Sequence, residues 1–300
     1  MPSDCRGKET QGGRPASFAF GGGPGGGFLA AERAVGGATT ITSGFVFTQT
    51  ALRAYRECPY RFRLRYLEGV PWPAAPTDPA AERALDLGRR FHELARQHYL
   101  GLEVDEQARS AGPPLADWWQ ALRTRPPDLA GYPERYPEVA LSVPLGRFRL
   151  SARYDLLAIG EKGARIVDWK IGVLPLSPVL AQDLQTQVYL YVLAEGNTVY
   201  RRGRLLAPES LSLVYWNPRE TLLVGYDART HAQTRAFLEG LVDEIAQCDP
   251  AAMRPVEDPS TCSRCGYAAL CGLPSGGILE WEEEEEEAFP EWPPEEALAP

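Results

Sequence analysis

Three stretches with strand-like alternation follow one another closely: EVALSVPL from Glu138, RFRLSARYDLLAI from Arg147 and ARIVDWK from Ala164, with EKG as the turn between the last two. Each run is rich in β-branched and aromatic residues and bounded by turn residues, which predicts a meander of antiparallel strands. Helical patterns flank it. Thr48 is placed to cap a helix running through TALRAYREC, and Ala80 to Leu100 and Leu115 to Arg123 read as two more. Beyond the meander, Pro178 to Glu195 reads as a helix, LSLVYWN and TLLVGYD as a hairpin around Pro218, and Thr230 to Gln247 as the last long helix. This order predicts an α/β layer architecture with a mixed central sheet flanked by helices.

The third strand carries charge where a sheet core does not welcome it. In IVDWKIG, from Ile166 to Gly172, side chains at alternate positions share a face, so Asp168 and Lys170 point together and Val167, Trp169 and Ile171 point the other way. Such a pair is either an ion pair tolerated at a sheet edge or the floor of a site that holds a metal and a nucleophile. Asp155 lies on the preceding strand and can come beside Asp168. Two adjacent carboxylates repel each other, and a divalent cation removes that penalty; magnesium and manganese prefer such hard oxygen ligands. Spacing also admits a plainer arrangement, with Asp155 in a turn and Asp168 paired to Lys170 alone. Lysine is scarce here, since of 31 basic residues only Lys8, Lys162 and Lys170 are not arginine. An ammonium on that strand can do what a guanidinium cannot.

Other candidates surround these. In LGRRFHELARQHYL, His92 shares a helix face with Ala95 and Tyr99, whereas His98 is turned away. In QDLQTQVYLYVLAE, Gln187 and Tyr191 stand one turn apart, and Gln185 and Tyr189 repeat the spacing, so the register is open. Cys262, Cys265 and Cys271 form C-x2-C-x5-C, a compact metal-binding or cluster loop that lacks a fourth thiol. Cys58 can supply it, Cys248 is an alternative, and the spacing admits zinc or iron and sulfur.

Charge is uneven along the chain. The net charge is -9, but ten of the 40 acidic residues fall from Glu280 onward with no basic residue among them, leaving 31 basic against 30 acidic residues before that point. A near-neutral body with an acidic tail does not exclude a nucleic-acid partner. Residues 1–40, with GGGPGGG from Gly21, read as a disordered leader, 41–273 as the folded domain and 274–300 as a disordered acidic tail, or as a mimic of DNA through its glutamates and Trp281 and Trp292. The glycines are not followed by Lys-Ser or Lys-Thr, so no nucleotide-binding phosphate loop is formed. No apolar run reaches membrane-spanning length, no secretory signal opens the chain, and a cytoplasmic protein is expected.

Taken in order, CPYRF in a basic helix, GRRFH, a strand ending in Asp155, VDWKIG, Q-x3-Y and a terminal C-x2-C-x5-C resemble the RecB-like branch of the PD-(D/E)XK nucleases. More narrowly, the chain looks like the iron-sulfur members, such as the CRISPR-associated exonuclease and the AddB-type nuclease domains. The resemblance spans Ile41 to Gly272. It implies a restriction-endonuclease-like core with the cluster joining the N- and C-terminal segments. It also implies a metal-dependent DNA exonuclease acting on single-stranded ends, in CRISPR adaptation or DNA repair and recombination, with helicase or adaptation proteins as partners. His92, Asp155 and Asp168 would then bind magnesium or manganese with the Trp169 carbonyl, and Lys170 would orient the attacking water. Gln187 and Tyr191 would support the site and the DNA, and Cys58, Cys262, Cys265 and Cys271 would hold a 4Fe-4S cluster. Ala152 departs from the family, which has glycine there. Arg53, Arg56, Arg61, Arg63 and Arg65, interleaved with Tyr60, Phe62 and Tyr66, suggest a path for a single strand. A chain of different class, a DNA-binding subunit without catalysis, is the rival reading; it has no need of His92, Asp155, Asp168 and Lys170 together.

Overall fold

Strand β3 (Phe148–Ile159) organises the sheet. Along one edge it pairs antiparallel with β2 (Glu134–Leu145) from Leu145↔Phe148 to Glu134↔Ile159. The two-residue turn between them has Gly146 at φ 58°, a conformation that a side chain disfavours. Along its other edge β3 meets two strands in succession: β1 (Val46–Phe47), parallel, at Arg149 and Leu150, and β4 (Ala164–Trp169), antiparallel, at Leu156 to Ile159. Residues 151–155 lie between these pairings with no strand on that edge among the described residues. β5 (Leu211–Trp216) then adds parallel to β4, and β6 (Thr221–Gly225) closes the hairpin around Pro218. The computed structural model describes residues 41–272 except 43, 73–78, 162, 172–177, 201, 202, 204, 257 and 264. The leader 1–40 and the tail 274–300 expected from the sequence lie outside the described residues.

Each face of the sheet carries its own core. On one face α6 (Leu184–Gly196) is buried nearly all round, because it runs between the sheet, α1 (Gln49–Glu57) and α7 (Ala228–Gln247). Its run of Val188, Leu190, Val192 and Leu193 therefore has no polar stripe to show. On the other face α3 (Pro79–Tyr99) lays Phe91, Leu94 and Ala95 against Val167, Trp169, Val214 and Trp216, with α4 (Asp105–Ser110) and α5 (Leu115–Thr124) behind it. Phe91 stacks on Trp216 at 5.6 Å and meets Trp169 edge-on at 6.3 Å. Aromatic pairs of this kind contribute about 1 kcal/mol each beyond the area they bury, which pins α3 over the end of β4.

Several boundaries differ from the sequence reading. Thr48 does cap α1, accepting from the Ala51 N–H at 3.2 Å. The following segment is α2 (Pro59–Phe62) and a π-helical turn (Arg63–Leu67), set off from α1 by an extended Cys58, since the residue before a proline avoids helical dihedrals. β2 starts at Glu134, four residues earlier than expected. The expected helix from Pro178 is a 3-10 turn (Pro178–Gln182) followed by α6, whose start is fixed by Asp183 accepting from the Gln185 N–H at 2.8 Å. No helix of the described residues is long and apolar enough to cross a membrane.

Candidate active site

Irregular backbone gathers where β2, β3 and β4 meet. The β2–β3 register runs unbroken on both sides of Glu138 and Asp155, which face each other without forming a ladder pair, and Glu138 has φ 52°. Positive φ at a non-glycine residue is a strained conformation that surrounding structure must enforce. At the same level β3 changes face: Tyr154 belongs to the α6 core, and Leu156, two residues on, belongs to the α3 core. Continuing the β3–β4 register by one step sets Asp155 opposite Asp168. The short connection from β3 to β4 thus brings the two carboxylates to adjacent positions.

α3 supplies the imidazole. His92 Nδ1 lies 3.3 Å from Asp155 Oδ1, and His92 Nε2 lies 3.1 Å from the Trp169 carbonyl oxygen. Asp155 Oδ2 accepts from the Trp169 N–H at 2.7 Å. His92, Glu138 and Asp155 each present a ligand atom within 4.8 Å of the others. A neutral imidazole has one N–H and can serve only one of its two facing acceptors, so the second contact needs another proton or a cation. With two carboxylates and a ring nitrogen converging, the donor set fits a divalent ion, and the Trp169 carbonyl lies at the other ring nitrogen.

The electrostatics agree with that geometry. Glu138 is pushed up to about 7, first by burial and then by the Asp155 carboxylate opposite, against the pull of Arg153 and His92. Burial alone would raise Asp155, but His92, the Trp169 N–H and the Lys170 ammonium outweigh it and hold the carboxyl below its ordinary range. Of the two carboxyls, Glu138 is therefore the one that holds a proton more readily and Asp155 the one that stays charged. Arg153 Nε donates to Glu138 at 3.0 Å.

A second network adjoins the first. Asp168, 1% exposed, pairs with Lys170 Nζ at 2.8 Å. Lys170 also donates to Gln185 Oε1 at 2.9 Å, and Gln185 Nε2 donates to Asp168 Oδ1 at 3.2 Å and to the Tyr189 hydroxyl at 3.0 Å. The ammonium sits over the Tyr215 ring at 5.4 Å. Asp168 is thus held beside the His92, Glu138 and Asp155 group rather than inside it.

Placement of the sequence candidates can now be stated. His92, Asp155, Asp168 and Lys170 come together. Gln187 and Tyr191 do not: Gln187 is turned outward to the Gln182 carbonyl at 2.9 Å, and Tyr191 stacks on His231 at 5.5 Å. The pair facing the site is Gln185 and Tyr189, because the Asp183 cap starts the helix two residues out of the expected phase. Glu138 was missed, although the Gly146 hairpin turn would have set it opposite Asp155. Ala152 is buried in the α6 core at 2% exposure, away from any substrate approach. Of the expected DNA path, Arg61 is 1% exposed and paired to Glu57 at 2.6 Å, Arg53 is paired to Asp183 at 2.7 Å, and Phe62 is core. Arg56 is exposed, and Arg63, paired to Glu68 at 2.5 Å, and Arg65 are partly so.

Of the four cysteines, Cys265 belongs to a satellite core with Leu64 and Tyr267, on which Trp72 packs. Burial raises the Cys262, Cys265 and Cys271 thiols, and each also feels Cys58. Cys248 instead lies in the α6 core. Among the described residues no three of these sulfurs come within 4.8 Å of one another, so the spacing of a single tetrahedral ion is not formed. The expected cluster site is not closed.

Residues 46–272 match the PD-(D/E)XK nuclease superfamily. Similar solved structures include a "Putative exonuclease" from Eubacterium rectale, at 10% identity and TM-score 0.45 over 70% of this chain and 83% of that one. Another is SSO0001, at 13% identity and TM-score 0.38 over 77% of this chain and 88% of that one. No curated protein matches the sequence.

Proposed function

Because the chain belongs to the PD-(D/E)XK nuclease superfamily, we propose that it is a metal-dependent DNA exonuclease that hydrolyses phosphodiester bonds, with a preference for single-stranded ends. The observation carrying this reading is the convergence of His92, Glu138 and Asp155 beside the Asp168–Lys170 pair. These three would hold a magnesium or manganese ion, with the Trp169 carbonyl as a further ligand, and Asp168 offers another carboxylate from the neighbouring strand. Such an ion lowers the pKa of bound water and neutralises charge on the phosphate.

The chain's own groups do the rest. Lys170 holds the attacking water by hydrogen bonding and donates to a phosphate oxygen as charge accumulates there. Gln185 grips Asp168 and Lys170 at once, which keeps the ammonium from swinging out to solvent. Histidine among the ligands favours manganese over magnesium. The exposed Arg56 and the partly exposed Arg63 and Arg65, near Tyr60 and Tyr66, suit a single strand whose bases stack.

The same reading includes a 4Fe-4S cluster on Cys58, Cys262, Cys265 and Cys271. A cubane binds each thiolate to a different iron and so holds its ligands farther apart than a single ion does. The three C-terminal thiols share an electrostatic environment with Cys58, and the buried Arg61 places positive charge beside Cys265. Residues 41–273 then act as one nuclease domain. Roles in DNA repair and recombination or in CRISPR adaptation, with helicase or adaptation proteins as partners, follow from the family resemblance and not from the site.

End-labelled single- and double-stranded DNA incubated with manganese, with and without EDTA, tests the activity. Stepwise shortening from the labelled strand's end, faster on single strands and abolished by EDTA, is expected. Binding without cleavage in manganese would overturn it in favour of a non-catalytic DNA-binding subunit.

A further inference from the structure

A cavity of about 470 Å³ opens on the α3 side of the sheet, remote from the groups just described along the helix but joined to them through one stacked pair of rings. Tyr99, which lines it, stacks on Trp169 at 5.9 Å, and the Trp169 carbonyl is the one that faces His92. His92 and Tyr99 are seven residues apart on α3, so the cavity lies roughly 10 Å along the helix from the imidazole. Its size is in the range of small-ligand sites.

The lining is cationic. Arg135 lies over the Tyr99 ring at 5.8 Å and makes no carboxylate pair among the described residues. Arg123 approaches His98 Nε2 at 3.3 Å and pairs with Asp105 at 3.7 Å. Asp128, the one carboxylate lining the cavity, is largely exposed and its chain is engaged by Arg165. Arg123, shared between His98 and Asp105, and Arg135 thus face a cavity walled on its other sides by Leu122, Pro126, Pro127 and Leu129, and the guanidinium of Arg135 has no carboxylate partner among the described residues. Guanidinium recognises phosphate through paired N–H donors, and a strand near the site would pass phosphates at intervals that reach this distance.

We propose that the cavity lined by His98, Tyr99, Arg123 and Arg135 is a binding site for a nucleoside phosphate, supplied either by a unit of the DNA strand or by the free mononucleotide. The identity of the ligand rests on the nuclease reading; the cationic cavity does not.

Thymidine 5′-monophosphate, thymidine and a dT12 oligonucleotide are titrated by calorimetry into the full chain in EDTA, so that no cleavage is required. Arg123 and Arg135 are exposed, and their joint change to alanine should leave the circular dichroism spectrum unaltered. The double variant should bind the monophosphate about tenfold more weakly, the loss expected for a charged hydrogen bond, and thymidine should bind neither protein. An equal loss for dT12 assigns the site to the strand; a loss confined to the monophosphate assigns it to the product. Ala130→Trp, which fills the cavity from an exposed loop without removing charge, should reproduce the loss and covers the case of a misfolded double variant. Unchanged monophosphate binding in both variants, or no binding to the parent chain, overturns the proposal. A chain that binds the monophosphate in this way yet never cleaves DNA would sink the nuclease reading and leave the site standing.

Discussion

The His92–Glu138–Asp155 group and the four cysteines are both candidate metal sites, but the protein prepares them differently. The first stands on a long helix and two central strands, pinned by the Phe91, Trp169 and Trp216 rings, and its ligand atoms already lie within 4.8 Å of one another. The second hangs on the start of α2, the four-residue helix α8 (Pro259–Cys262) and a 3-10 turn (Ala268–Cys271), and its sulfurs do not close to that spacing. Rigid elements preorganise a site, whereas short turns leave the bound group to finish it. Chemistry that must position a phosphate needs the former; a clip between chain segments can use the latter.

The sharpest way to break this contrast is to empty the preorganised site. Asp155→Asn and Asp168→Asn should each lower DNA cleavage about a thousandfold or more, the loss of several kcal/mol of charge stabilisation, while the melting temperature stays within a few degrees. Retained cleavage of an end-labelled strand in both variants would remove the site from the chemistry. Next in size is the helix that supports it. Gln185→Ala should lower kcat by about ten- to a hundredfold, as loss of a group that orients others does, and Gln187→Ala should stay within about twofold. The reverse order would restore the Gln187 and Tyr191 register expected from the sequence.

A smaller effect is set by pH. Because Glu138 in the metal-free protein holds its proton up to about pH 7, a cation must displace that proton at lower pH. Manganese affinity should therefore rise by up to about tenfold per pH unit below 7 and flatten above it, and Glu138→Gln should remove that slope. An unchanged slope in the variant, measured by calorimetry across this window, would take Glu138 out of the ligand set. The smallest effect on the catalytic ion should come from the other site. Cys265→Ser should lower the melting temperature by about 5 °C and abolish the brown colour that the proposed cluster would give, yet leave manganese affinity within twofold. Lost manganese binding in that variant would show that the two sites are not separable.

Much of this arrangement was legible in the residues, and the parts that were not have physical reasons. The meander and the EKG turn sufficed to set Asp155 opposite Asp168, because antiparallel pairing with short turns leaves little choice of register. Alternation in IVDWKIG placed Trp169 with the α3 core and Asp168 on the other face. Glu138 escaped because it opens the expected strand, where pairing is least fixed, and because it stands at a positive φ that no local pattern announces. Gln185 was obscured by a helix hydrophobic on every side, whose phase only the Asp183 cap fixes. Arg61, in the row near Cys58, is hidden for a related reason: charge pattern does not reveal that it turns inward to Glu57.

The most direct test of the central claim is an anomalous difference map from crystals soaked in manganese, at the concentration used in the cleavage assay. A peak bounded by His92, Glu138, Asp155 and the Trp169 carbonyl is expected, and it should vanish in Asp155→Asn. A peak elsewhere, or none at all while cleavage proceeds, would contradict the account.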